Sequence, residues 1–348
     1  MRTQTYKTNY ADLVALTPHS SNWAWALIGL LVVASAPIML GSHGLNILSA
    51  IFVMAIGILG LNLLTGVTGQ ISLGHAGFLL IGAYAQAILT TDYHLPAWLA
   101  VFVSGLVAAA ASLVVGVPSL RLKGLYLAIT TLAFTFIVRH MVLFAEKITR
   151  GSEGMAVAPL NLFGYSVKSD MPFFYVALAM LVLFILMTLN IMRSRIGRAW
   201  LAVRDHDIAA RAMGINLMRY KLLAFMVSAF YTGVAGSLVA LQTRYINVDT
   251  FSILISIEAL AMIIVGGMGR VHGALLGTVL ILLLPELLNF GFSIAGNRFT
   301  TLMADRIYEI KGLMYGVVIL LFLRLEPEGL AGIWRKVKRF WVQWPLSQ

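Results

Sequence analysis

Apolar runs of nearly constant length recur along this chain, and they restrict its fold more than any motif does. They fall at roughly 23–40, 45–64, 71–90, 96–117, 125–144, 172–191, 222–243, 252–268, 271–291 and 306–324. A helix needs about 20 mostly apolar residues to cross a bilayer. Inside hydrocarbon, every backbone N–H and C=O must be satisfied within the protein, which leaves helices and closed barrels as the spanning structures. Continuous runs of this length suit helices. The expected fold is therefore all-α, a polytopic membrane protein with about ten transmembrane helices. Composition agrees, because charged residues make up 11% of the chain, against about a quarter in soluble domains. The first run is longer than a signal-peptide core and has no small-residue cleavage site, so it reads as an uncleaved span.

The net charge of +11 is explained by topology. Placing the N-terminus inside assigns every loop in turn. The inner side then collects Arg2, Lys7, Arg121, Lys123, the basic residues of a central loop, Arg270, Arg324, Arg335, Lys336, Lys338 and Arg339, which are most of the Lys and Arg present. Cytoplasmic loops carry this excess. Both termini are thus expected on the cytoplasmic side, and no nucleic-acid partner is needed. The division that follows is a polar segment at 1–22, one membrane domain at 23–325 and a basic tail at 326–348.

Absences narrow the chemistry. No cysteine is present, which excludes disulfides and thiolate chemistry. The histidines (His19, His43, His75, His94, His140, His206 and His272) show no ligand spacing for zinc. No Gly-Lys dipeptide occurs, so the sequence holds no GxxxxGK[ST] phosphate loop.

Four stretches are functional candidates. The first is the polar interruption at 193–221, where Arg193, Arg195, Arg198, Arg204, Arg211, Arg219 and Lys221 face only Asp205 and Asp207. Its centre, Asp207 to Met213, is a short amphipathic helix, and Ala209-Ala210-x-x-x-Gly214 offers a backbone that a partner can approach closely. A loop that merely fixes orientation is the alternative.

The second stretch is LNLLTGVTGQISLGHAGFLLIG, which places Asn62, Thr65, Gln70, Ser72 and His75 among five glycines. It reads either as a turn followed by a tightly packed helix or as a discontinuous helix lining a solute path. A faint echo appears at Gly266-Gly267-x-Gly269 followed by His272, Gly273 and Gly277. In the third, Gly269, Gly273 and Gly277 are spaced for one helix face and close packing. Finally, Glu258 and Glu286 fall within apolar runs, where acids are functional candidates by default.

Several motifs together are similar to one family. Gly60 to Phe78 (GLNLLTGVTGQISLGHAGF), Leu120 to Leu132 (LRLKGLYLAITTL), Thr149 to Gly154 (TRGSEG), the central loop, Val265 to Gly269 (VGGMG) and Glu326 to Leu330 (EPEGL) resemble the LivM-type permease of branched-chain amino acid ABC importers. The resemblance covers roughly residues 45–330 in the expected order. The loop departs from the family's Glu-Ala-Ala-x-x-x-Gly pattern, with Ile208 in place of the glutamate and Asp207 one residue earlier.

This resemblance implies a subunit of a bacterial inner-membrane importer, surrounded by membrane lipid. A LivH-like sister permease, two ABC ATPase subunits and a periplasmic solute-binding protein would complete it. ATP and Mg would be bound by the ATPases, leaving no cofactor in this chain and no catalytic residue of its own. Asp207, Ala209, Ala210 and Gly214, with Arg198 and Arg211, would dock the ATPase. Asn62, Thr65, Gln70, Ser72, His75 and Glu258 would border the translocation path. Similar permeases carry urea, short amides or other amino acids. An ion-coupled secondary transporter, which would use Glu258 and Glu286, a membrane enzyme and a passive scaffold are the readings from other classes.

Overall fold

The computed structural model describes residues 20–119, 122, 124–162, 165–167, 169–295, 307–326 and 328–343. Most of the polar segment at 1–22, Arg121, Lys123 and the tail from 344 onward lie outside the described residues.

The apolar runs fold as helices, in chain order α1 Ser20–Ala34, α2 Ser42–Leu61, α3 His75–Thr91, α4 Ala97–Ser119, α5 Leu125–Phe144, α6 Asp170–Arg193, α7 Arg195–Asp205, α8 Asp207–Ala212, α9 Leu217–Thr243, α10 Ile253–Gly266, α11 Val271–Ala295, α12 Ile307–Leu325 and α13 Gly329–Gln343. Among the described residues, six helical segments are long and apolar enough to cross a membrane: Ser42–Val67, Ala97–Pro118, Leu125–Phe144, Asp170–Arg193, Leu217–Thr243 and Val248–Gly266. Shorter apolar stretches occupy Leu27–Met39, Val271–Leu287 and Gly312–Phe322. The chain is thus a polytopic helical membrane protein.

Helix α9 is the axis of the bundle and packs on α4, α3 and α2. Small residues set these approaches. A Cβ on Gly82 would collide with the Gly233 carbonyl, and one on Gly236 with the Leu79 carbonyl. On the side facing α4, a Cβ on Gly233 would lie 2.5 Å from Ala108 Cβ. Lipid supplies no hydrophobic drive between helices, so close backbone contact of this kind is what holds membrane bundles together. Aromatics fill the wider gaps; Phe184 of α6 meets Tyr231 of α9 edge to face at 4.6 Å. Many side chains of α5, such as Ile129, Phe136 and Met141, are exposed and apolar, as suits a lipid-facing or partner-facing helix.

Three features differ from the sequence reading. The run at 71–90 does not begin as a helix: a π-helical turn, Asn62–Val67, ends α2, irregular backbone follows, and α3 starts at His75. Gly269 is not on a helix face. It sits at φ +80° in the turn before α11, while Gly273 and Gly277 lie on the helix as expected. The fold also contains small antiparallel ribbons, β1 Met155–Ala156 with β4 Tyr245–Ile246 and β2 Leu160–Leu162 with β3 Tyr165–Val167. β4 follows the C-terminal end of α9, so the β1–β4 ribbon lies at the opposite end of the bundle from α7 and α8. Residues between spans satisfy their backbone by pairing, and stretches this short leave no periodic signal in sequence.

Candidate functional site

The central loop is built as two helices, and the larger one precedes the predicted centre. Ser194 caps α7 by accepting from the N–H groups of Ile196 (3.1 Å) and Gly197 (3.4 Å), the standard way to satisfy a helix start. Gly197 permits the sharp turn out of α6, since a Cβ there would run into the Ile191 and Met192 carbonyls. Trp200 is fully buried and its indole N–H donates to the Tyr220 carbonyl at 2.9 Å, pinning α7 to the start of α9. His206, in extended conformation, breaks the helix, and α8 follows. Gly214 closes it at φ +85° with nothing near its missing side chain. Asn216 then caps α9 through the Arg219 N–H at 3.2 Å.

α8 offers an outward surface of mixed character. Ile208 and Met213 are 81% and 84% exposed, and Ala209, Arg211 and Gly214 are exposed beside them. Ala210, by contrast, faces inward and is buried, so the Ala-Ala pair divides its roles: one residue seats the helix and the other opens its surface. Asp207 is half-buried. Arg198 is exposed and its guanidinium donates to the Arg193 carbonyl at 2.9 Å.

The polar stretch after α2 folds into a buried junction. Asn62 is fully buried; its Oδ1 accepts the Gly269 N–H at 2.8 Å and its Nδ2 donates to the Arg270 carbonyl at 3.2 Å. It thereby ties the π-helical turn to the turn between α10 and α11. Thr65 Oγ1 donates to the Gln70 carbonyl at 3.1 Å, and Gln70 Nε2 donates to Thr68 Oγ1 at 3.2 Å. Ser72 Oγ accepts the Gly74 N–H at 3.2 Å. Neighbouring helices contribute too: Thr131 of α5 accepts the Leu73 N–H at 2.9 Å, and Ser256 of α10 accepts the Ala76 N–H at 2.9 Å. His75 Nδ1 lies 3.3 Å from Thr232 Oγ1 of α9.

The loop and the junction are joined directly. Arg204 of α7 donates from Nη1 to the Gly66 carbonyl at 2.8 Å, the last turn of the π-helical segment. Glycines allow the approach: a Cβ on Gly66 would strike the Gly269 N–H and Asn62 Oδ1, and one on Gly69 would lie 3.2 Å from Arg204 Cγ. A pocket of about 230 Å³ lies alongside, lined by Thr68, Gly69 and Gln70 on one wall and Arg204 to Asp207 on the other. The two echoing glycine turns, at Gly66 and Gly269, therefore touch.

Five of the six path candidates, Asn62, Thr65, Gln70, Ser72 and His75, come together in this junction. Glu258 stands apart from it, half-buried on α10 and within electrostatic reach of Tyr315 of α12. Glu286 is also separate, 3.7 Å from His43 Nε2 near the start of α2. Gly273 and Gly277 pack α11 on α10; their missing side chains would meet the carbonyls of Gly266, Gly267 and Met262. Sequence reasoning missed Trp200, Thr131, Thr232, Ser256 and the particular role of Arg204. Only Trp200 carries a signal, as a large aromatic within a polar loop.

A family model described as branched-chain amino acid transport system / permease component matches residues 44–323. The chain is similar to the high-affinity branched-chain amino acid transport system permease protein LivM of Salmonella typhimurium, with 35% identity over 329 residues, 87% of this chain and 74% of the relative. LivM of Escherichia coli K12 is 34% identical over the same shares. BraD of Pseudomonas aeruginosa is 26% identical over 83% of this chain and 94% of its own. LivH of Escherichia coli K12 shares 25% identity over 79% of this chain and 89% of its own. No solved structure matches the chain. With most of its length matched by the family model and by LivM, the chain belongs to the permease component family of branched-chain amino acid transport systems.

Proposed function

We propose that this chain is a membrane-spanning subunit of a bacterial inner-membrane ABC importer and moves branched-chain amino acids into the cell. On this reading about ten spans cross the bilayer, both termini are cytoplasmic, and a LivH-like sister permease completes the pore. Two ABC ATPase subunits bind ATP and Mg, and a periplasmic protein delivers the solute. Residues 193–221 form the ATPase dock of the 23–325 domain.

The observation that supports this most strongly is the Arg204 to Gly66 hydrogen bond. α8 presents Ile208, Ala209, Arg211, Met213 and Gly214 outward, and α7 is held firmly by Trp200. A force applied to α8 by closing ATPases passes through α7 and Arg204 to the backbone between α2 and α3. The polar residues Asn62, Thr65, Gln70, Ser72 and His75 then act as the moving border of the solute path, with Glu258 on the adjacent α10. A passive scaffold has no use for such a link.

The test is uptake of labelled leucine into proteoliposomes holding the full complex, with ATPase activity measured in parallel. Charge reversal at Arg198 and Arg211 is expected to leave the complex in the membrane while uncoupling hydrolysis from uptake. Unchanged uptake by that variant would overturn the docking assignment. Uptake of urea or short amides in preference to leucine would replace the solute and leave the dock intact.

A further inference from the structure

The last helix, α13, carries a surface that the importer reading does not use. Leu330, Ile333, Trp334 and Val337 recur at the helical spacing of one face, and the sequence continues that spacing with Phe340 and Trp341. The remaining circumference holds Arg335, Lys336, Lys338 and Arg339, with no acidic residue between Gly329 and Gln343. Only the first member of the stripe, Leu330, packs against the bundle. Beyond it Ile333, Trp334 and Val337 are 40%, 61% and 43% exposed, whereas Gly329, Ala331 and Gly332 are buried.

The mounting of α13 fixes where this stripe points. Gly329, at φ +65°, makes the turn out of α12, and a Cβ there would lie 2.6 Å from both the Gly267 N–H nitrogen and the Val265 carbonyl. Ala331 sits against Gly267. Lys336 pairs with Glu326 at 2.5 Å, and Arg335 pairs with Glu328, which also stands 4.0 Å from Arg270. α13 is thus held at the level where α10 and α12 end and α11 begins, the same end of the molecule as α7. That level is the boundary between hydrocarbon and water for a bundle of spans.

We propose that α13 lies in the membrane interface and binds anionic lipid headgroups, with its apolar stripe among the acyl chains and Lys338 at the phosphates. A basic amphipathic helix with tryptophan on its apolar face is the form that such surfaces bind, and each Lys or Arg near an anionic leaflet favours it by about fivefold, or ~1 kcal/mol. Charge selects the lipid: Arg335 and Lys336 are matched by Glu328 and Glu326, while the rest of the helix carries further basic residues and no acid, which suits an anionic headgroup and gains little from a zwitterionic one. The inference rests on the bundle spanning a membrane and is independent of the solute and of the ATPase dock. Because Ala331 abuts Gly267, two residues from the Gly269 that Asn62 holds, lipid bound to α13 steadies the turn between α10 and α11.

The absence of native cysteine makes the test direct. Spin labels are placed singly at Val337→Cys and Lys338→Cys in the full chain. Each is reconstituted in nanodiscs of phosphatidylcholine with or without phosphatidylglycerol, and collisions with oxygen and with a water-soluble nickel chelate are compared. With phosphatidylglycerol, the Val337 label should collide with oxygen and escape nickel, and the Lys338 label should show the reverse. Changing Lys338 and Arg339 to Gln should lower the ratio of lipid-immersed to water-exposed label at Val337 by more than about tenfold. Nickel access at Val337 in both membranes would overturn the proposal, and so would shielding from both quenchers, which would mean that a protein covers the stripe. Equal immersion without phosphatidylglycerol would overturn the anionic-lipid assignment.

Discussion

Replacing Asn62 with Ala removes both hydrogen bonds that tie the π-helical turn to the α10–α11 turn. Two main-chain groups then lose their partner, the Gly269 N–H at 2.8 Å and the Arg270 carbonyl at 3.2 Å. A buried group left unsatisfied costs about 1–3 kcal/mol, and interhelical hydrogen bonds in membranes measure nearer ~0.6–1.7 kcal/mol each. The expected loss is therefore about 2–3 kcal/mol, since both groups are affected and Asn62 itself is fully buried. Asn62→Asp separates the two bonds, because a carboxylate still accepts from Gly269 but opposes the Arg270 carbonyl. Stability of the detergent-solubilised complex on a temperature gradient, read by size-exclusion, is the assay. Arg204→Ala combined with Asn62→Ala should lose less than the two single changes added together, because Arg204 holds Gly66, whose backbone abuts the same Gly269. A melting point for Asn62→Ala equal to the parent would refute the view that this junction holds the segment together.

Three further outcomes follow from the packing and from the loop. Gly82→Leu should abolish the folded monodisperse protein, because its Cβ would occupy the Gly233 carbonyl, whereas Gly316→Ala on α12 has open space and should be silent in the same chromatogram. Trp200→Ala should cost about 3–5 kcal/mol as a vacated core site and raise hydrogen exchange across α7 and α8, while Ile208→Glu, 81% exposed, should leave stability unchanged and lower solute-stimulated ATPase activity. Glu286→Gln should preserve uptake, since the carboxylate is partly open to solvent beside His43; loss of uptake would revive an ion-coupled mechanism.

Helix positions were legible from the sequence because the bilayer requires long apolar runs, and that constraint overrides local detail. The same property explains what was hidden. The run at 71–90 reads as one span, but Gly69, Gly74 and hydroxyl groups that bond the backbone keep the chain out of the helix until His75. Gly269 has the spacing of a helix-face residue, and spacing alone does not distinguish it from a turn glycine with positive φ. The short helix at Asp207–Ala212 was recognisable because small residues break a basic run there. α7 was not, because its identity as a helix depends on Trp200 reaching Tyr220 and Arg204 reaching Gly66, contacts across 20 and 138 positions. Nothing in the basic run marks Arg204 apart from its neighbours. The stretch read as a basic tail from its charges is the helix α13, whose apolar stripe has helical spacing that those charges obscure.

The Arg204 contact ends on a peptide carbonyl and not on a side chain. Side chains take up slack by changing rotamer, so a link between two of them yields before it transmits. At Gly66 the acceptor is main chain, so no side-chain rotamer intervenes on the receiving side. On the proposed reading, a shift of α7 would bear on the backbone between Leu61 and His75 through Gly66, and substitutions of the neighbouring side chains would leave the acceptor itself unchanged.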